Sequence, residues 1–223
     1  MVVKTFRRKR RMQYRNRSGV IYWHGAPGKN QIALTFDDGP GDPHTLKILD
    51  ILNEHKVKAT FFMVGRNVKN FPEIARRVAE EGHTIGNHTY NHRGQTLATP
   101  SMAIVEIKQT EDVIKEATSI SPKFFRPPYG NANRWALRQA EKLGYIICLW
   151  SINAGDGLGG NWRRIEKKVL SESEDGVIIL MHDKGRFSTQ HSQKSTALAL
   201  PRIISSLKES GYRLVTLTEL LEL

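Results

Sequence analysis

Cysteine is almost absent from this sequence. The chain of 223 residues contains one, Cys148, which lies inside the apolar run from Tyr145 to Trp150. A single cysteine excludes an intrachain disulfide. The apolar surroundings predict a buried and inert thiol rather than a nucleophile, because a reactive thiolate needs an electropositive and partly exposed setting.

Long apolar runs are also missing. No stretch approaches the roughly 20 apolar residues that a membrane-spanning helix requires, and the N-terminal segment lacks the apolar core of a secretory signal. We therefore expect neither a membrane span nor a signal peptide in the chain as it stands. Hydrophobic residues make up 39% and charged residues 25% of the chain, which is typical of a globular protein of one domain.

Acidic residues are absent from the first 18 positions, which hold eight lysines and arginines. This segment carries +8 of the formal charge of +12 and leaves +4 for residues 19–223. We therefore predict a basic, flexible arm over residues 1–18 and a folded domain over residues 19–223. The arm is suited to contact an anionic surface, and the alternative is a solvated tail. Specific nucleic-acid binding is not expected, because the arm offers only Phe6 and Tyr14 for stacking on bases.

Apolar strand patterns alternate with helical patterns along the domain. Strands are predicted over residues 31–36, 59–64, 84–88, 123–126, 145–151, 177–181 and 212–215, with a further short strand within 19–24. Helices are predicted over residues 43–55, 70–81, 99–117, 132–143, 161–173, 194–209 and 217–222. This alternation predicts a parallel α/β sheet, either a (β/α) barrel or an open doubly wound sheet. Because a glycine-rich dinucleotide fingerprint and a phosphate loop are both missing, the commonest uses of the open sheet are excluded.

Residues suited to chemistry follow the C-terminal ends of the predicted strands. The sequence places them in this order after the first, third, fourth, fifth and sixth strands: Asp37 and Asp38, His88 and His92, Arg126, Asp156, and His182. Parallel barrels and sheets place their functional sites at this edge. We therefore expect these side chains to meet in one site.

The pair Asp37-Asp38 predicts a bound cation. Two neighbouring carboxylates are costly to hold together without a compensating positive charge. On a regular strand they would point to opposite faces, so the chain must bend at Gly39-Pro40 if both serve one site.

His88 and His92 are the candidate partners of this carboxylate pair. They are four residues apart, and a helical turn would place them on one face. With one carboxylate they form a set of three ligands that leaves a position for water at a catalytic zinc ion. The alternative is two solvated histidines on a helix face, which this spacing alone favours. The Asp pair and the shared position at strand ends favour the metal site instead. The remaining histidines are interpreted as structural or surface residues: His24, His44, His55, His83 and His191.

Four motifs occur in a characteristic order, and they are TFDDGP at 35–40, HTYNH at 88–92, RPPYG at 126–130 and LMHD at 180–183. Over residues 31–217 the chain therefore resembles the NodB-homology polysaccharide deacetylases, carbohydrate esterase family four. The resemblance implies a single-domain α/β fold, a distorted (β/α) barrel of seven or eight strands. It also implies one divalent metal ion, Zn²⁺ in the first place, with Co²⁺, Ni²⁺ or Mn²⁺ as alternatives.

The activity implied by the resemblance is hydrolysis of N-acetyl groups on a glycan that contains N-acetylglucosamine, such as a chitooligosaccharide or peptidoglycan. Such work is extracytoplasmic or associated with the cell wall. Two alternatives remain: an O-acetyl esterase acting on a xylan-like glycan, and a glycan-binding protein with an impaired site. Oligomeric state is not indicated by the sequence.

Individual roles follow from the resemblance. Asp37 corresponds to the general base and His182 to the general acid, with Arg126 and Asp156 as their respective partners. Three residues correspond to the metal ligands: Asp38, His88 and His92.

The substrate-binding residues implied by the same comparison come from two motifs. The backbone N–H of Tyr129 corresponds to an oxyanion donor, and Leu180 corresponds to a wall of the acetyl-methyl pocket. Pro127 corresponds to a further residue of the substrate-binding groove.

The family has one more motif besides these four. It stands fourth in chain order, is usually Asp-x-x-Asp-Trp, and is altered in this chain. Asn153 replaces its first Asp and Gly157 replaces its Trp, whereas Asp156 is retained. Loss of the Trp removes an apolar wall of the groove, and we expect Trp162 to supply a substitute.

Overall fold

The structure, a computed structural model, describes residues 13–16, 19–157, 161–184 and 191–223. Within these residues the chain forms strands that are numbered here in chain order. They are β1 Gln13–Asn16, β2 Gly19–Tyr22, β3 Gln31–Asp37, β4 Thr60–Met63, β5 Thr84–Asn87, β6 Phe124–Phe125, β7 Ile146–Cys148, β8 Ile152–Asn153, β9 Ile178–His182 and β10 Arg213–Val215.

Helices follow most of the strands in the described part of the chain. They are α1 His44–Glu54, α2 Gly65–Asn70, α3 Pro72–Glu80, α4 Pro100–Thr118, α5 Arg134–Lys142, α6 Trp162–Glu172, α7 His191–Glu209 and α8 Leu217–Leu220. A short 3₁₀ turn covers Pro128–Gly130.

The strands form one curled sheet in the order β1-β2-β7-β6-β5-β4-β3-β9-β8, with β10 paired to β3 outside this path. All pairings are parallel except the hairpin between β1 and β2. The hydrogen-bonded path ends at β1 and β8 and does not close, so the sheet is a distorted, open barrel. The predicted single-domain α/β fold of barrel type is confirmed.

The predicted strand over residues 145–151 is divided into two. Its first part, β7, pairs with β6 and β2, and its continuation β8 pairs with β9 at the other end of the sheet. The segment Ile146–Asn153 therefore crosses between two ends of the curled sheet. A pattern of apolar residues cannot reveal this crossing, because Ile147 and Cys148 in the first part and Ile152 in the second are all buried.

Two helix boundaries differ from the prediction over residues 70–81. Asn70 is the last residue of α2 rather than the cap of a helix, and Phe71 precedes α3 without a side-chain capping bond. Pro72 does occupy the first turn of α3. Thr99 and Asn133 cap α4 and α5, since their side-chain oxygens accept from backbone N–H groups at the starts of these helices.

The predicted basic arm includes an unforeseen strand. Gln13–Asn16 form β1, which pairs with β2, whereas residues 1–12, 17 and 18 lie outside the described residues. The flexibility of the arm and its contact with an anionic surface stay predictions.

The core lies between the sheet and the helices. Ile32, Leu34 and Phe36 on β3 are fully buried and contact α1, β4 and β9 side chains in the largest apolar cluster. Cys148 is buried as predicted, and burial raises the pKa of its thiol to about 12. None of the helices in the described residues combines the length and apolar character that crossing a bilayer requires.

Replacement of Leu34 by alanine tests the central position of β3. Leu34 is 0% exposed, so Leu34→Ala should lower the free energy of unfolding by about 2–5 kcal/mol through lost burial and an internal cavity. The matched control is Leu97→Ala, because Leu97 is 91% exposed and its loss should change stability by less than about 0.5 kcal/mol. Urea denaturation measures both, and similar effects for the two variants would contradict the assignment of β3 to the core.

Candidate active site

The three predicted metal ligands meet at the C-terminal edge of the sheet. One ligand atom from each of Asp38, His88 and His92 lies within 4.8 Å of the other two. The Asp38 Oδ1 atom is 2.9 Å from His92 Nε2 and 3.5 Å from His88 Nε2. Such a cluster of one carboxylate and two imidazoles matches the donor types and spacing of a catalytic zinc centre.

The backbone bends where the sequence requires it. Asp37 ends β3, and Asp38 has a left-handed φ of 81°, which turns the second carboxylate toward the same site as the first. The predicted helical turn over residues 88–92 is wrong. These residues form a loop after β5, in which Thr89 and His92 have φ values of 66° and 55°. The histidines are brought together by this loop and not by helical spacing.

His88 is oriented by the backbone of Arg126. Its Nδ1 lies 2.7 Å from the Arg126 carbonyl oxygen. Because a carbonyl only accepts, Nδ1 carries the proton and Nε2 directs its lone pair toward Asp38 and His92. This arrangement is common for metal-bound histidines.

The electrostatics of the cluster also suit a cation. Burial opposes ionisation of Asp38, but hydrogen bonds and charges from His88 and His92 outweigh it and lower the pKa of Asp38 well below its usual range. Burial likewise opposes the charged form of His88, but the charges of Asp37 and Asp38 outweigh it and raise the pKa of His88. The residues present therefore fit the expected divalent ion, which would replace the protons shared in this cluster.

Asp37 and Arg126 form a buried ion pair beside the three ligands. Arg126 Nη1 donates to Asp37 Oδ1 at 2.7 Å, and Asp37 Oδ2 lies 3.7 Å from His88 Nε2. One oxygen of Asp37 is therefore held by Arg126, while the other faces the metal-ligand cluster.

Arg126 is fully buried, and its guanidinium donates hydrogen bonds to several neighbouring groups. Nε and Nη2 donate to the carbonyl oxygens of Cys148 and Leu149 at 3.1 and 2.8 Å, and Nη1 also donates to Thr35 Oγ1 at 2.9 Å. The guanidinium lies 3.9 Å from the centre of the Phe62 ring. This network fixes Arg126 and, through it, the orientation of Asp37.

His182 and Asp156 form a second pair on the groove. His182 Nδ1 donates to Asp156 Oδ1 at 2.9 Å, and the His182 backbone N–H donates to Asp156 Oδ2 at 2.8 Å. Thr196 on α7 also donates to Oδ2 at 2.7 Å. Burial opposes protonation of His182, but the charge and hydrogen bond of Asp156 outweigh it and raise the pKa of His182 to about 9. The raised pKa favours the protonated ring of His182, which is the form that can donate a proton.

A groove of about 270 Å³ joins these two pairs. Tyr129 and Leu180 line it as predicted, and Trp150 forms a further wall. Tyr129 has a φ of 63°, and its ring packs against His92 with ring centroids 4.8 Å apart. Sequence reasoning did not assign Trp150 to the groove, although its place at the end of a strand gave the same signal as the other site residues.

Pro127 and Trp162 are not brought into the groove. Pro127 is buried beneath the turn that carries Tyr129, where its carbonyl accepts from the Gly130 N–H at 3.0 Å. Trp162 packs against the main core, with the guanidinium groups of Arg163 and Arg202 at 4.4 and 4.9 Å from its ring. The expectation that Trp162 replaces the missing groove wall is therefore not met, because Trp162 packs against the core instead.

The altered fourth motif lines the groove beside His182. Asn153 lines the groove and turns its Oδ1 back to accept the Gly155 N–H at 2.8 Å. At Gly157 a Cβ atom would lie 2.9 Å from His182 Cε1. Gly157 therefore packs closely on the His182 ring, where a larger side chain would force one of the two residues to move.

Asp183 is a site-supporting residue that sequence reasoning missed. Its buried carboxylate accepts the Gly39 N–H at 2.9 Å and the Thr45 hydroxyl at 2.8 Å. Thr45 Oγ1 in turn accepts the Gly41 N–H at 2.8 Å. These bonds fix the turn that follows the two aspartates. Burial raises the pKa of Asp183 to about 7.

Substitution of Gly39 tests whether this turn holds Asp38 in place. A Cβ at Gly39 would overlap the Asp183 carboxylate, so Gly39→Ala must displace the residue next to Asp38. We expect at least about tenfold weaker Zn²⁺ binding in calorimetry, the scale seen when the support of a ligand is lost. Gly94→Ala is the matched control, because its added Cβ would find its nearest atoms at an ordinary distance of 3.7 Å. Unchanged affinity in Gly39→Ala would contradict this role of the turn.

Comparison with known proteins identifies the family of this chain. A family model described as polysaccharide deacetylase matches residues 24–147. A peptidoglycan-N-acetylglucosamine deacetylase of Bacillus cereus is 40% identical over 89% of this chain and 70% of its own length. The peptidoglycan-N-acetylglucosamine deacetylase PgdA of Listeria monocytogenes is 38% identical over 87% of this chain, which spans only 40% of that relative.

A solved structure shows the same fold. The crystal structure of the Bc1960 peptidoglycan N-acetylglucosamine deacetylase superposes with a TM-score of 0.86 at 38% identity, covering 91% of this chain and 92% of that one. The predicted family and enzyme class are confirmed. From the family model, the relatives and the shared fold, the chain belongs to the polysaccharide deacetylases, a family of carbohydrate-deacetylating hydrolases.

Proposed function

We propose that this protein is a metal-dependent deacetylase that removes the N-acetyl group from N-acetylglucosamine units of peptidoglycan. The observation that carries the proposal is the arrangement of two proton-transfer pairs, Asp37–Arg126 and His182–Asp156, on one groove beside three metal ligands. The relatives named for peptidoglycan support this glycan over chitooligosaccharides.

Asp38, His88 and His92 would hold the ion, and two imidazoles with one carboxylate favour Zn²⁺. Such an ion supplies Lewis acidity toward the acetyl carbonyl and the attacking water. The protein residues around it perform the remaining tasks of orientation and proton transfer.

Asp37 is the proposed general base. Its Oδ1 is occupied by Arg126, and its Oδ2 faces the ligand cluster, so Oδ2 is available to accept a proton from water. As the water oxygen bonds to the acetyl carbon, that proton moves to Asp37. Arg126 keeps the carboxylate oriented throughout, because its own position is fixed by four further contacts.

His182 is the proposed general acid. Asp156 holds its Nδ1–H, which leaves Nε2 for the substrate. When the bond between the acetyl carbon and the sugar nitrogen breaks, Nε2–H donates its proton to that nitrogen and the products are acetate and a free amine. A protonated leaving group is required because an amide anion is too basic to depart.

Tyr129 and Leu180 are the proposed substrate contacts. The backbone N–H of Tyr129 would donate to the oxyanion that forms during attack, and Leu180 would contact the acetyl methyl group.

A substrate in the cell wall implies action outside the cytoplasm. The relatives named for peptidoglycan support this location. The basic residues of the arm would then meet anionic wall polymers, which is the contact predicted for them.

Acetate release from defined glycans tests the proposal. Zn²⁺-loaded protein should release acetate from peptidoglycan fragments, and Asp37→Asn should lower turnover at least about 100-fold because the general base is lost. The variant should still bind Zn²⁺, since Asp37 is not a ligand. Asp112→Asn, an equal change at an exposed position of α4, should retain full activity.

Two further substrates define the contrary outcomes. Release from N-acetylglucosamine oligomers alone would replace peptidoglycan by chitooligosaccharide as the substrate. Release from acetylated xylan alone would identify an O-acetyl esterase. No release from any substrate by protein that binds Zn²⁺ would favour the glycan-binding alternative.

The pH dependence of activity tests the acid. His182 can donate a proton only below its pKa, which Asp156 raises to about 9. We therefore expect kcat/KM to fall as the pH rises through this pKa, which forms the upper limb of the pH profile. Asp156→Asn removes the charge that raises this pKa. We therefore expect the upper limb to move to lower pH by about 1–3 pH units.

The exposed variant Asp112→Asn again serves as the control and should leave the limb in place. An upper limb that stays at the wild-type pH in Asp156→Asn would contradict the role of His182 as an acid tuned by Asp156.

A further inference from the structure

The loop that carries His88 and His92 is anchored to α4 through a single acidic side chain. Glu106 Oε2 accepts the backbone N–H of Asn91 at 2.8 Å, and Oε1 accepts Asn91 Nδ2 at 2.8 Å. Both carboxylate oxygens are therefore bound to the residue that directly precedes the ligand His92.

This loop requires anchoring because its backbone is unfavourable. Thr89 and His92 both have positive φ values, and a non-glycine residue in this region costs about 1–3 kcal/mol unless its surroundings hold it there. Contacts with β4 and α2 hold the first half. The His88 N–H donates to the Met63 carbonyl at 2.9 Å, and the Thr89 carbonyl accepts from Gly65 N–H at 3.0 Å. The second half of the loop is held at Asn91, which donates both of its hydrogen bonds to Glu106.

Glu106 is an unusual residue for its position. It is 9% exposed and shares the buried face of α4 with apolar residues such as Ala103 and Ile107. A buried carboxylate is costly unless hydrogen bonds compensate it. Its compensation comes from the metal-ligand loop, to which both of its oxygens are bound.

We propose that Glu106 is a positioning residue of the metal centre. By clamping Asn91 it fixes the direction in which the next residue, His92, presents Nε2 to Asp38 and His88. Glu106 thus acts on the ion through Asn91 and His92 and does not contact it. This inference rests on the metal site of the proposed function.

The test compares two Glu→Gln variants on one helix. Glu106→Gln keeps the shape of the side chain, but its amide NH₂ must face one of the two Asn91 donors. We expect Zn²⁺ affinity to fall about 10–100-fold in competition calorimetry. The absorption spectrum of the Co²⁺-loaded protein should also change, because it reports the geometry of the ligands. Glu116→Gln, at an exposed position of α4, should match the wild type in both measurements.

The unfolding free energy of the metal-free proteins separates positioning from stability. If Glu106→Gln is less stable but keeps wild-type Zn²⁺ affinity and Co²⁺ spectrum, Glu106 is only structural and the proposal is wrong. If the variant does not fold, Asn91→Ala replaces it, because that change removes the side-chain half of the clamp from the loop. An affinity reduced at least threefold supports the proposal, and an unchanged affinity contradicts it.

The wild-type protein in the same experiment distinguishes a failure of the metal site from a failure of the positioning role of Glu106. A wild-type chain that binds neither Zn²⁺ nor Co²⁺ would overturn the metal site and the proposed function with it. A wild-type chain that binds, together with a Glu106→Gln variant that binds equally well, would overturn the positioning role alone.

Discussion

The buried ion pair between Arg126 and Asp37 is the interaction on which the site depends. Removing one partner of such a pair typically costs about 3–5 kcal/mol, because the remaining charge stays buried and uncompensated. In this structure the pair joins β3 to the turn after β6, and the other bonds of Arg126 reach the end of β7. One side chain therefore fixes the ends of three strands relative to each other and presents Asp37 beside the proposed metal ligands.

The same principle recurs around the site, where side chains proposed for the chemistry are held by residues behind them. The Arg126 carbonyl orients His88, Asp156 orients His182, and Asp183 fixes the turn beyond Asp38. Such supports limit the number of geometries that the active groups can adopt, and catalysis by preorganised groups requires this. The groove itself is lined by few apolar side chains, so the specificity of the chemistry comes from these held groups.

The sequence predicts the fold class and the residues that meet in the site because both depend on strong local signals. Apolar strands alternate with helices, and Asp37, His88 and Arg126 follow strand ends that a parallel sheet must place at one edge. The failures have tertiary causes. The loop at residues 88–92 is held by β4, α2 and Glu106 rather than by helical periodicity. Trp162 faces the core because α6 packs on α7, and local sequence does not specify that helix orientation.

The crossing of the segment Ile146–Asn153 between two ends of the sheet has a mechanical consequence. This segment supplies the carbonyls of Cys148 and Leu149 that hold the Arg126 side of the groove, and it leads within three residues to Asp156 on the His182 side. Asp37 and His182 themselves lie opposite each other on the paired strands β3 and β9. One ladder thus sets the proposed proton acceptor beside the proposed proton donor, while the supports behind both come from one short covalent segment. A shift of that segment would therefore disturb both proton-transfer pairs at once.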